Sequence, residues 1–130
     1  NYFLLIDLPV PLRWNSTGIT ILGKAGAPGS APNQTNFPYG LAFDSLGALY
    51  IADYWNHRIQ KLIIGTSTGL TVTGQTNGVM GNDSYHLYEP VHMAFDSNDN
   101  IYVSDRRNSR VQFFTRGNQS GTTVAGITGN

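Results

Sequence analysis

The 130-residue chain contains no cysteine, which removes disulfide frameworks, thiolate zinc sites and cysteine nucleophiles together. Charge is scarce: Asp, Glu, Lys and Arg make up 12% of the residues, and eight basic side chains balance eight acidic ones. A zero net charge argues against a broad nucleic-acid surface or a polybasic membrane patch, though a local basic cluster stays open. No apolar run approaches the roughly 18 residues needed to span a bilayer; the longest near the start is Tyr2 to Ile6. The first residue is Asn1 rather than Met, so an upstream segment, with any targeting signal, is expected to lie outside this sequence. What is present is 40% hydrophobic and 12% aromatic, too apolar for a disordered tail and enough for one domain with a core.

Fifteen glycines and six prolines punctuate short runs rich in Tyr, Ile, Val and Thr, a pattern of strands and turns. The chain also matches itself. PYGLAFDSLGALYIADYWNHRIQ at 38–60 aligns without a gap on PVHMAFDSNDNIYVSDRRNSRVQ at 90–112. A shorter element occurs three times, as STGITILG at 16–23, STGLTVTG at 67–74 and QSGTTVAG at 119–126. Each unit predicts four strands: Gly40–Asp44, Leu49–Asp53, Arg58–Ile63 and Leu70–Thr73, then His92–Asp96, Ile101–Asp105, Arg110–Thr115 and Thr122–Ala125. Segment 16–23 is expected to be the last strand of a preceding blade. Runs such as LAF and VQFF do not alternate with polar residues, as fits sheets packed on both faces. Short antiparallel units of this period, stacked face to face, predict an all-β chain: a segment of a β-propeller with about two four-stranded blades.

The stretches YIADYWNHRIQKL and YVSDRRNSRVQFF resemble the NHL repeat, over about residues 16–126. The resemblance implies a six-bladed propeller used as a binding scaffold for protein or RNA, as an extracellular sensor domain or, in one related branch, as a metal-dependent lyase. It places an irregular leader or strand remnant at 1–15 and blades at 16–130, with repeat cores 38–64 and 90–116. Two blades cannot close a ring, so either a longer chain or a homo-oligomer is expected to complete it; three two-blade chains would make six blades.

Asp53 and Arg58 flank a four-residue turn, and Asp105 and Arg110 repeat them. Each carboxylate is expected to accept turn N–H groups and face the guanidinium across the hairpin. With Asn56 and Asn108 these are read as structural, because every blade needs its own turn. Strand parity brings the turns 54–57 and 106–109 to one face together with the long connectors 24–37 and 75–89. There Tyr54, Trp55 and His57 supply stacking surface, and Arg106 and Arg107 supply cationic donors, extended by Arg116 and by Arg110, the latter expected to be committed to Asp105. This favours a non-catalytic scaffold for a protein or peptide partner with an acidic or aromatic side chain. Against it stands the plainer possibility that Trp55 lies on the blade edge and the arginines pair with nearby carboxylates.

Single-stranded RNA is the less favoured partner, because backbone binding wants surplus basic charge. The enzyme alternative, a metal-dependent lyase or hydrolase, would need histidine ligands from His57, His86 and His92. The lyase branch places its histidine directly after the proline that opens the inner strand. Val91 fills that position here, so no catalytic residue and no cofactor is assigned, and His92 is a metal ligand only under that alternative. The run Asp96 to Asn100 resembles the start of a calcium loop but lacks its glycine and terminal Glu, and reads as a hairpin turn. Gly23 to Gly29 is glycine-rich without a phosphate-loop ending and reads as a flexible inter-blade loop. Sequons at Asn15, Asn33, Asn82 and Asn118 are glycosylation candidates and point towards extracellular exposure.

Overall fold

A computed structural model describes residues 16–62 and 65–126. Among these residues eight strands make two sheets. The first is β1 (Pro38–Phe43), β2 (Leu49–Asp53), β3 (Arg58–Leu62) and β4 (Leu70–Gly74); the second is β5 (Pro90–Phe95), β6 (Ile101–Asp105), β7 (Arg110–Phe114) and β8 (Thr122–Gly126). Both sheets are antiparallel meanders in chain order. The two stack as consecutive propeller blades, with β1 and β5 side by side.

The repeat extends to the backbone. Phe37 and Glu89, Gly47 and Asp99, and His57 and Ser109 occupy matching positions and all have positive φ, so the two copies turn in the same way although the side chains differ. The opening strand begins at the proline in each blade, earlier than the sequence pattern indicates. Proline is tolerated as a first strand residue, and the pairing then slips between Pro38 and Leu41, and between Pro90 and Met93. In that slip Gly40 meets blade two: a Cβ there would strike the Val91 carbonyl oxygen.

Burial explains why the strands do not alternate. Every residue of β2 is buried. One of its faces joins Tyr50 and Ala52 to Ile101, Val103 and Phe114 of blade two, and the other packs Leu49 and Ile51 with Leu62 and Leu22. In β6 the same positions alternate, because Ile101, Val103 and Asp105 are buried while Tyr102 and Ser104 face outwards. Tyr50 is 7% exposed beneath blade two, whereas its counterpart Tyr102 is 36% exposed.

Segment 16–23 departs from expectation, for it forms no strand. In both complete blades this element is a strand because it pairs with the third strand of its own sheet, whereas 16–23 joins neither sheet. Leu22 keeps only the packing role. The leader 1–15, with the sequon at Asn15, lies outside the described residues, as does Ile63, the last residue predicted for the third strand.

Candidate functional site

The rim rests on two buried charge pairs. Arg58 Nε meets Asp53 Oδ2 at 2.8 Å, and Arg110 Nε meets Asp105 Oδ2 at the same distance. Asn56 and Asn108 donate to the same carboxylate oxygens. One expectation is corrected here. The second oxygen of each Asp takes a backbone N–H from the connector, Asn36 for Asp53 and Tyr88 for Asp105, and neither Asp caps its own turn. The turn residues 54–56 and 106–108 wind into a single 3-10 turn, which carries their N–H groups away from the preceding carboxylate. Arg58 then donates to the carbonyls of Ser30, Ala31, Gln34 and Thr76. The connector is therefore tied to the blade just beyond the glycine-rich stretch, and Asn56 adds a bond to the Gly29 carbonyl at its end.

On this frame the individual residues of the two blades meet. Glu89, in the connector just before β5, has a buried carboxylate whose Oε2 accepts the Tyr54 hydroxyl at 2.6 Å, Arg106 at 2.7 Å and Arg107 at 2.9 Å. The bond from Tyr54 and the cation of Arg107 hold the Glu89 carboxyl below its ordinary range, while the Glu89 contact raises the Tyr54 phenol and Arg107. Both arginine side chains remain more than half exposed. His57 accepts the Glu89 backbone N–H at Nδ1, 3.1 Å away, and its ring meets Tyr88 edge to face. Burial lowers the His57 pKa, consistent with an imidazole nitrogen acting as acceptor.

Beside this clamp lies a cleft of about 330 Å³ lined by Phe37, Tyr39, Tyr54, Trp55, Val91 and Arg106. Phe37, Tyr39 and Trp55 are each more than half exposed. The Trp55 N–H of the backbone donates to Asn36, and the indole stands edge-on to Tyr54 at 5.4 Å between ring centroids. Thus Tyr54, Trp55, His57, Arg106 and Arg107 do share one face. Glu89 went unseen in the sequence; its one signal is that an acid stands where the first repeat has Phe37, directly before the strand-opening proline.

Arg110 is buried against Asp105, as its place in the repeat predicts, and adds nothing to the basic spot. The expectation for Arg116 changes. Arg116 pairs with Asp99 at 3.6 Å, at the opposite end of the strands, because the turn after β7 leaves the blade on the other side from the turn before it. That end holds a second cleft of about 310 Å³, where Lys61 is matched by Asp44 at 3.1 Å. The histidines do not converge. His86 bonds Asp83 at 2.6 Å, His92 is exposed beside Tyr39, and no group of three His, Cys, Asp or Glu suited to a metal ion occurs among the described residues. The run Asp96 to Asn100 is a turn, with Asp96 Oδ1 accepting the Asn98 and Asn100 N–H groups.

The family model of the NHL repeat matches residues 35–62 and 87–114. The chain carries two NHL repeats. Each matched span takes in the end of a connector, three strands and the turn bearing Asn56-His57-Arg58 or Asn108-Ser109-Arg110. The Asp–Arg frame therefore lies inside the NHL repeat, and Phe37 and Glu89 fall within its first residues. No curated protein matches the chain. NHL repeats are commonly protein-interaction elements of β-propellers.

Proposed function

We propose that this NHL segment is a non-catalytic scaffold that binds a protein or peptide through the face carrying the turns 54–57 and 106–109. One observation carries the reading. The buried Asp–Arg frame is the same in both blades, whereas the rim residues differ between blades and are joined across the blade boundary by Glu89. A rigid frame with an individual, half-exposed rim is the arrangement expected of a recognition surface. Arg106 and Arg107 against Glu89 leave one net positive charge, enough to favour an acidic group and little for a phosphate backbone. Further blades, from the same polypeptide or other copies, would cover the outward face of blade two around Tyr102, as blade two covers Tyr50.

Selection of random dodecapeptides on the 130-residue chain tests this. Selected peptides should lose roughly tenfold or more in affinity on Trp55→Ala or Arg107→Ala, the scale of an interface anchor, and keep it on Arg116→Ala at the opposite end. Binders that ignore the first two substitutions and need Arg116 would overturn the assignment of the face.

A further inference from the structure

The chemistry of the ligand can be read one step further, on the premise that this face binds a peptide. The four aromatic rings of the cleft do not form a platform. Phe37 and Tyr54 are inclined by 57°, Phe37 and Tyr39 by 42°, Tyr39 and Tyr54 by 31°, and Tyr54 and Trp55 by 85°. A flat nucleobase or aromatic side chain stacks on one plane, whereas tilted rings wall a cup that touches a compact saturated group from several sides. The polar atoms point the same way. Tyr54 has its hydroxyl committed to Glu89 and Arg106, but the Tyr39 hydroxyl and the Trp55 indole N–H make no hydrogen bond among the described residues. Both can donate to peptide carbonyls, as aromatic grooves do for a polyproline II segment.

At the Arg106 end the charge is unbalanced. Glu89 uses one nitrogen of each guanidinium: Arg106 Nη1, which also reaches the Tyr54 hydroxyl, and Arg107 Nε. The other nitrogens of both have no partner among the described residues. Arg107 also lies over the Tyr88 ring at 6.0 Å. Two oriented guanidinium edges with one surplus charge suit a carboxylate.

We propose that the cleft binds an extended, proline-containing acidic peptide, with proline in the aromatic cup and an Asp or Glu within one or two residues of it on Arg106 and Arg107. The shared wall residue Arg106 requires this short spacing, since extended chain advances about 3.3 Å per residue.

Fluorescence anisotropy with the 130-residue chain and labelled peptides tests it. The probes are acetyl-Gly-Pro-Pro-Leu-Asp-Gly-amide, the same peptide with Asn for Asp, the same with Ser for both Pro, one with Trp for both Pro, and a ten-residue oligouridine. Replacing Asp by Asn should weaken binding about tenfold, as for loss of a charge-assisted pair, and replacing Pro by Ser by a similar factor. Arg107→Gln should abolish the preference for Asp over Asn. The peptide exchanges need no change in the protein, so they decide the matter even where a variant unfolds. Equal affinity for the Asp and Asn peptides, tighter binding of the Trp peptide, or tighter and steeply salt-dependent binding of oligouridine would each overturn the proposal. If the panel fails while display-selected peptides still require Trp55 and Arg107, the ligand class is wrong and the binding face stands; if those also ignore Trp55 and Arg107, the face itself is wrong.

Discussion

Arg58 Nε lies 2.8 Å from Asp53 Oδ2, and neither side chain is more than 1% exposed. The pair joins four parts of the chain: the turn, the start of β3, the connector at 30–34 and the next connector at Thr76. A buried pair of this kind is weak evidence of net stabilisation, but removing one member leaves an uncompensated charge. Arg58→Met should therefore cost about 3–5 kcal/mol in urea unfolding. The half-exposed Arg116, paired loosely with Asp99, should leave the midpoint unchanged when replaced by Met. Equal losses for the two variants would refute this account of the frame.

Gly40 fills a packing role, not a turn. A Cβ there would strike the Val91 carbonyl oxygen and crowd His92, where β1 and β5 run side by side. Overpacking of this sort typically costs about 1–3 kcal/mol, so Gly40→Ala should lower the melting temperature. His92 occupies the same repeat position in blade two and is exposed; His92→Ala should melt as the parent does. If both variants behave alike, the close approach of the blades is not what requires glycine.

The positions of Gly40 and Tyr54 mark how far the sequence could be read. In-register identities such as Asp53 with Asp105 and Tyr50 with Tyr102 determine strand order, turn position and parity, because each copy of a repeated unit folds into the same strands and turns. From parity alone the rim turns fall on one side. The partner of Arg106 and Arg107 was not legible, since Glu89 comes from a connector that differs between copies, and its left-handed backbone is marked by no glycine or asparagine in the sequence. Parity also separates Arg116 from Arg107, because its turn follows the third strand and leaves the other end of the sheet; counting its charge with the rim overlooked that.

His57 should set the behaviour of the molecule in mild acid. Burial lowers its pKa from the ordinary 6.5, opposed by the carboxylates of Glu89, Asp105 and Asp53 that face it. The unfolded chain therefore binds the proton more readily than the folded one. Stability is full above 6.5 and falls as pH drops below it, until the folded histidine also titrates. Protonation also ends the bond from the Glu89 N–H to Nδ1. Asn tolerates a left-handed backbone, which His57 adopts at φ 53°, so His57→Asn should flatten the decline that begins as pH drops below 6.5. The lowered carboxyls of Asp44, Asp96 and Asp99 add their loss only in stronger acid. A decline of the same size in His57→Asn would assign the effect elsewhere.

The sequons at Asn33, Asn82 and Asn118 are proposed as glycan acceptors, and their side-chain amides support it. All three residues are exposed, and none of their Nδ2 groups is hydrogen-bonded among the described residues. By contrast, Asn56 and Asn108 commit Nδ2 to a carbonyl and a carboxylate. The amide nitrogen is the atom a glycan is joined to, so a free one on a loop is the local requirement. Asn118 is further arranged by its own turn, with Oδ1 accepting the Ser120 N–H at 3.0 Å. Secreted from insect cells, the chain should lose mass on treatment with an N-glycosidase, and Asn118→Gln should remove one increment of that loss. An enzyme-insensitive mass in the secreted, folded protein would show that accessible sequons on these loops go unused.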